Sequence, residues 1–114
     1  MPAKFELSKA RDGEFRFVLK GGNGEIVLTS ELYKHKESAE KGIASVKKNA
    51  PDDKRYERKT SHSGKPFFVL KAANHEVVGT SQMYKSAASM EEGIAAVKNG
   101  APAAEVVEVM AARK

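Results

Sequence analysis

The sequence predicts a single α+β domain of two tandem β-β-β-α-β repeats, whose exchanged C-terminal strands form one antiparallel-rich sheet with both helices on one face. Three observations predict it. A shift of 51 residues lays Phe17-Val18-Leu19-Lys20 on Phe68-Val69-Leu70-Lys71 and makes about 22 of 47 aligned positions identical, the scale of a duplicated supersecondary unit. Within each copy the hydrophobic period changes from two to about 3.6. Finally, Phe5-Glu6-Leu7, Tyr56-Glu57-Arg58 and Val107-Glu108-Val109 align with one another. Equivalent strands thus outnumber the repeats, and strand 55–59 both ends the first unit and begins the second. Repeat one covers 4–51, repeat two 55–102, and the final strand is 105–109.

At 114 residues the chain has the length of one domain, enough to bury roughly two-thirds of its unfolded surface without staples. It contains no cysteine, which excludes thiol catalysis, cysteine-ligated zinc and a disulfide framework. Met-Pro-Ala-Lys-Phe-Glu-Leu has no apolar run of the signal-peptide kind, and no stretch reaches the roughly 18 apolar residues of a membrane span. The expectation is a soluble, cytoplasmic protein without a membrane partner.

Phe5-Glu6-Leu7 alternates as a half-buried strand does, over about residues 4–9, and Arg11-Asp12-Gly13 turns the chain back. Phe15 to Lys20 and Glu25 to Thr29 then form a hairpin around Gly21-Gly22-Asn23-Gly24. A four-residue loop opposes Lys20 to Glu25, Leu19 to Ile26, Val18 to Val27 and Phe17 to Leu28. On that register Phe17, Leu19, Ile26 and Leu28 face the core, joined by Phe68, Leu70 and Val77 from the second copy. Val18, Val27, Phe67, Val69 and Val78 fall on the opposite, open face with Glu6, Glu57 and Glu108.

Ala39, Gly42, Ile43 and Val46 lie at i, i+3, i+4 and i+7, one stripe of an amphipathic helix, and Met90, Gly93, Ile94 and Val97 repeat it. Ser86 is a suitable N-cap for the second helix, whereas its counterpart His35 is a poor one. Asn49 and Gly100 end the helices before Pro51 and Pro102. A glycine inside a helix costs about 1 kcal/mol relative to alanine, so Gly42 and Gly93 imply close packing. Met110 to Lys114 reads as a frayed tail.

The residues that could carry chemistry are few. Gly21-Gly22-Asn23-Gly24 leads into a strand rather than a helix N-terminus, so it is a hairpin turn and not a phosphate cradle. His35, His62 and His75 have no metal-ligand spacing, and no nucleophile, base and orienter can be named together. No catalytic residue, metal or cofactor is expected. Of the net charge of +5, residues 52–71 alone carry +3, which makes Lys54, Arg55, Arg58 and Lys59 candidates for a nucleic-acid surface. The competing reading is a charged strand that resists edge aggregation. Tyr33-Lys34 and Tyr84-Lys85 place an aromatic ring beside an ammonium at each strand-to-helix junction. They could stack on a base or cover the core edge, with the hydroxyl on a backbone partner. Val18, Val27, Phe67, Val69 and Val78 form the candidate interaction face. The function class that results is a non-enzymatic binding or interaction module, with nucleic-acid binding through segment 54–59 as the alternative.

One further pattern is specific. Phe15, Phe17, Leu19, Lys20, Asn23 and Glu25, then Ser30, Tyr33 and Lys34, then Gly42, Ile43, Val46 and Lys47 before Ala50-Pro51 resemble the YegP-like family, as does the second set from Phe68 to Pro102. These are small, mostly bacterial, uncharacterised proteins built on a domain of unknown function. The match spans nearly the whole chain and departs at Pro66 and at Asn74-His75. The resemblance implies three strands, a helix and a further strand per repeat, with C-terminal strands exchanged. It also implies that single-repeat relatives dimerise, so a two-repeat chain is expected to be a monomer that imitates a two-fold dimer. It supplies no catalytic residues.

Overall fold

In each repeat the hairpin turn that precedes the helix is built by an asparagine. Asn23 Oδ1 accepts the Glu25 N–H at 3.0 Å, and Asn74 Oδ1 accepts that of Glu76 at 3.0 Å. The residue after each asparagine turns left-handed, Gly24 at φ 85° and His75 at φ 72°, a conformation that suits glycine and is tolerated by histidine. In a computed structural model describing residues 3–10 and 12–109, these turns belong to a seven-stranded sheet. The strands are β1 (Lys4–Lys9), β2 (Phe15–Lys20), β3 (Ile26–Thr29), β4 (Tyr56–Thr60), β5 (Pro66–Lys71), β6 (Val77–Thr80) and β7 (Glu105–Val109). The helices are α1 (Lys36–Asn49) and α2 (Ala87–Gly100). Two short 3-10 turns, Asp53–Arg55 and Ala101–Ala103, precede β4 and β7. The expected tail, Met110 to Lys114, lies outside the described residues.

The strand order is β4-β5-β6-β3-β2-β1-β7. All neighbours are antiparallel except β7, which crosses from the second repeat to run parallel to β1. The repeats meet at β3 and β6 through Thr29 opposite Thr80, residues equivalent under the 51-residue shift, so a pseudo-twofold axis passes between them. Ser30 and Ser81 finish the inner strands in the same way. Ser30 Oγ accepts the Phe17 N–H at 2.9 Å and donates to the Glu31 carbonyl at 2.7 Å; Ser81 does so with Phe68 and Gln82 at 3.0 and 2.7 Å.

The core lies between one sheet face and both helices. Phe5, Phe17, Leu19, Leu28, Phe68 and Leu70 from the sheet are fully buried with Val46, Ile94 and Val97 from the helices. Burial of each such side chain contributes about 1.5–3 kcal/mol. Ser86 caps α2, its side chain accepting the Ser89 N–H, whereas His35 makes no side-chain cap on α1. Tyr56 begins β4 with its ring inward and donates its hydroxyl to the Ala50 carbonyl at 2.7 Å.

The hairpin register differs from the predicted one in two steps. Gly21 donates to Glu25 at 2.9 Å, so the loop holds three residues around left-handed Gly24 rather than four, and Lys20 pairs with Ile26. A β-bulge then inserts Val27, after which Leu19 pairs with Leu28 and Val18 with Thr29. The second repeat repeats both steps, pairing Lys71 with Val77 and Leu70 with Gly79. Two one-residue slips cancel in parity. Phe17, Leu19 and Leu28 therefore keep the core face, while Ile26 turns out beside Lys20 and is 43% exposed. Val27 and Val78, expected on the open face, each turn into the core cluster and are only 8% exposed.

The final strand is corrected as well. Its parallel register sets Val107 beside Glu6 and Glu108 beside Leu7, one residue from the alignment that paired Val107 with Phe5. Val107 thus shares the open face, and Glu108 lies on the helix side, where it forms an ion pair with Lys36 at the start of α1.

Candidate functional site

The basic segment is drawn from the 3-10 turn into β4. Asp52 caps the turn by accepting the Lys54 N–H at 3.0 Å, which leaves Lys54 exposed at the surface. Tyr56 points inward, so the strand alternates: Glu57 and Lys59 lie on the open face, and Arg58 lies on the helix face. There Arg58 Nε donates to Glu91 Oε2 at 2.6 Å, and Nη2 donates to Glu91 Oε1 and Asp53 Oδ1 at 3.0 Å each. Lys98 Nζ donates to the same Asp53 oxygen at 2.6 Å. The Lys98 and Arg58 hydrogen bonds hold the Asp53 carboxyl below its ordinary range, and Arg58 does the same to Glu91. Lys54, Arg55, Arg58 and Lys59 are therefore spread over a turn and two faces and do not form one patch.

The open face carries a row of cross-strand ion pairs. Lys20 meets Glu6 at 3.2 Å and Lys71 meets Glu57 at 2.5 Å, the latter hydrogen bond lowering the Glu57 pKa. Of the five predicted interaction residues, Val27 and Val78 belong to the core as described, and Val69 is buried between its strand neighbours at 5% exposure. Val18 and Phe67 remain half-buried on the face. Sequence periodicity missed Ile26 and Val107, because a three-residue loop and a parallel register decide their direction. At the seam of the repeats the face dips into a depression of about 680 Å³ lined by Lys20, Ile26, Thr29 and Thr80.

Tyr33 and Tyr84 sit in equivalent places at the edge of the core. Their rings stack on Phe17 and Phe68 with centroids 6.3 Å apart in each case. Each hydroxyl rests over the helical glycine of its own repeat: a Cβ on Gly42 would stand 2.6 Å from Tyr33 Oη, and one on Gly93 would stand 2.1 Å from Tyr84 Oη. The packing partner of these glycines is therefore the junction tyrosine. Burial pushes both tyrosine pKa values up. Tyr84 Oη has no hydrogen-bond partner among the described residues, in contrast to the backbone partner expected for it. Lys34 and Lys85 are exposed beside the rings. Tyr84 and Lys85 also line a cleft of about 630 Å³ with Asn23, Glu25 and Glu92, where the hairpin tip of one repeat approaches the helix of the other.

Among the described residues no group of three or more His, Asp or Glu side chains is arranged to hold a metal ion. No described helix is long and apolar enough to cross a membrane.

The profile of a family described as "Domain of unknown function (DUF1508)" matches twice, over residues 10–57 and 61–108. The chain belongs to this family. Each DUF1508 match runs from the turn before a hairpin into the strand that follows the helix, the strand that crosses to the other half of the sheet. A UPF0339 protein of Acinetobacter baylyi is 59% identical over 109 residues, covering 96% of this chain and 98% of the relative. The UPF0339 protein YegP of Escherichia coli strain K12 is 63% identical over 98 residues, covering 86% and 89%. Two solution NMR structures share the fold. The E. coli protein of unknown function yegP gives a TM-score of 0.91 at 57% identity over 96% of this chain and 95% of that one. A UPF0339 protein of Shewanella oneidensis gives 0.90 at 45% identity over 96% and 93%. These DUF1508 relatives are uncharacterised proteins, and the function of the family is unknown.

Proposed function

We propose that this protein is a small monomeric, non-enzymatic interaction module whose contact surface is the open face of the sheet. One observation carries the reading: both helices pack on a single face, and among the described residues no element covers the other. That face combines half-buried Val18 and Phe67, exposed Ile26 and the depression at the Thr29–Thr80 seam with ion pairs that fix its long side chains. Apolar groups set among fixed charges on an uncovered face support that reading. The strand order supports the monomer, since β1 finds its outer neighbour in β7 of its own chain.

Nucleic-acid binding through Lys54, Arg55, Arg58 and Lys59 is the weaker reading. Arg58 is engaged by Glu91 and Asp53 on the helix face, while Lys59 lies on the open face, so the cations do not converge on one surface for phosphates. A shift-perturbation screen of the labelled protein against short nucleic acids, metabolites and peptides tests both. The proposal expects perturbed amides at Val18, Ile26, Phe67 and Thr80. Perturbations confined to 54–59, weakening steeply with salt, would replace it with the nucleic-acid reading.

A further inference from the structure

The two edges of the sheet are finished differently. β1 carries β7 on its outer side, with Lys4 beside Glu105, Phe5 beside Val106, Glu6 beside Val107 and Leu7 beside Glu108. β4 is the counterpart of β1 under the 51-residue shift, yet among the described residues no strand lies outside it. Its backbone is set to receive one. Phe68 uses its N–H on Ser81 Oγ and its carbonyl on the Ser81 N–H, so both groups face β6. Arg58 stands opposite Phe68 in a pair that exchanges no ladder hydrogen bonds, and its own N–H and C=O point outward. Thr60, two residues on, shares that direction.

We propose that the outer edge of β4 is a strand-addition site for an extended segment of a partner protein, running parallel to β4 and carrying carboxylates three residues apart. The chain contains its own template. If the pattern Glu105-Val106-Val107-Glu108 is laid on β4 in the register it holds on β1, its first carboxylate falls beside Arg55 and its second beside Arg58. The apolar residues between them fall beside Tyr56 and Glu57. The equivalent positions on β1 are Lys4 and Leu7, so the second copy presents two guanidiniums where the first presents one cation.

Arg55 is the stronger anchor. Its Nε is buried without a hydrogen-bond partner among the described residues, and the Asp52 carboxylate at 3.7 Å lies beyond hydrogen-bond length. Arg58 already holds Glu91 and Asp53 through Nε and Nη2, which leaves Nη1 for an incoming acid. Main-chain hydrogen bonds supply the affinity in this mode, and the flanking side chains supply the selection. A second copy fits the edge less well, because antiparallel pairing about Arg58 would set two guanidiniums against each other. The same charges that deter self-pairing thus select an acidic strand.

The test uses the full-length, isotope-labelled protein and a capped synthetic peptide, Ala-Glu-Val-Val-Glu-Val, with Ala-Lys-Val-Val-Lys-Val as its charge-reversed control. The expected result is saturable shifts and slowed amide exchange at Arg58 and Thr60, with the control binding about tenfold more weakly at low salt. Arg55→Glu should reverse that preference, and comparison of the two peptides on the unaltered protein needs no variant to fold. Equal binding of both peptides, no saturable shift at millimolar peptide, or shifts confined to β1 and β7 would overturn the proposal.

Discussion

Leu28 and Gly79 hold the same place in the two repeats, yet one is a fully buried side chain and the other has none. The pseudo-twofold axis explains the difference. Close to an axis, equivalent positions converge, and a Cβ on Gly79 would stand 2.6 Å from Leu28 Cγ and 2.7 Å from its Cδ2. Two leucines cannot share that space. The lesson is that a duplicated unit tolerates near-identity everywhere except at the axis it creates, where one copy must yield volume to the other.

The largest expected effect lies at this pair. Leu28→Ala should cost about 2–5 kcal/mol in chemical denaturation, the usual range for emptying such a site, and Gly79→Ala about 1–3 kcal/mol through overpacking. The exchange Leu28→Gly with Gly79→Leu restores a single side chain at the axis and should recover most of the combined loss. Additive losses in that double variant would show that the positions do not share one space.

A smaller effect separates the helical glycines. Alanine gains about 1 kcal/mol in helix propensity over glycine, and this opposes the clash with the junction tyrosine. The clash is worse in the second repeat, where the added Cβ would also stand 2.7 Å from Tyr84 Cζ, against 3.1 Å from Tyr33 Cζ in the first. Gly93→Ala should therefore lower the thermal midpoint more than Gly42→Ala, and Tyr84→Phe should partly rescue it. A raised midpoint in Gly93→Ala would mean that the tyrosine moves aside at no cost.

Most of the fold was legible because the duplication printed it twice. The turn asparagines, the capping serine, the helical stripes and the terminating glycine each left a local signal in the sequence. What escaped was decided by non-local geometry. The bulge at Val27 has no residue signature, since valine suits either face of a strand. It could be suspected only from Ile26-Val27-Leu28, an apolar run too continuous for a strand with one wet face. The direction of Glu108 depends on a parallel neighbour more than 90 residues away. The basic run 54–59 was visible, but its division between two faces required the inward Tyr56 and the acidic partners on α2 and the preceding turn.

The smallest effect expected concerns Leu7 and Arg58, equivalents on the two first strands. Leu7 is flanked by β7 and is buried; Arg58 stands on an edge strand and reaches Glu91 and Asp53. Arg58→Leu, which copies the first repeat into the second, should change stability little at neutral pH because the ion pairs are exposed. That small difference should close in acid. Asp53 and Glu91 have folded pKa values below their unfolded ones, so their contribution is present above an unfolded value of about 4 and is lost as pH falls through the folded value. With Arg58 removed, Glu91 loses its first cause of depression and Asp53 its second, Lys98 remaining on Asp53. Denaturation midpoints measured from pH 7 to pH 2 should therefore decline less steeply in Arg58→Leu than in the unaltered chain. The Glu57–Lys71 pair on the other face keeps its own acid response as an internal reference. An unchanged acid limb would show that the Arg58 pairs contribute nothing in solution, and the edge arginine would then act only by deterring self-pairing.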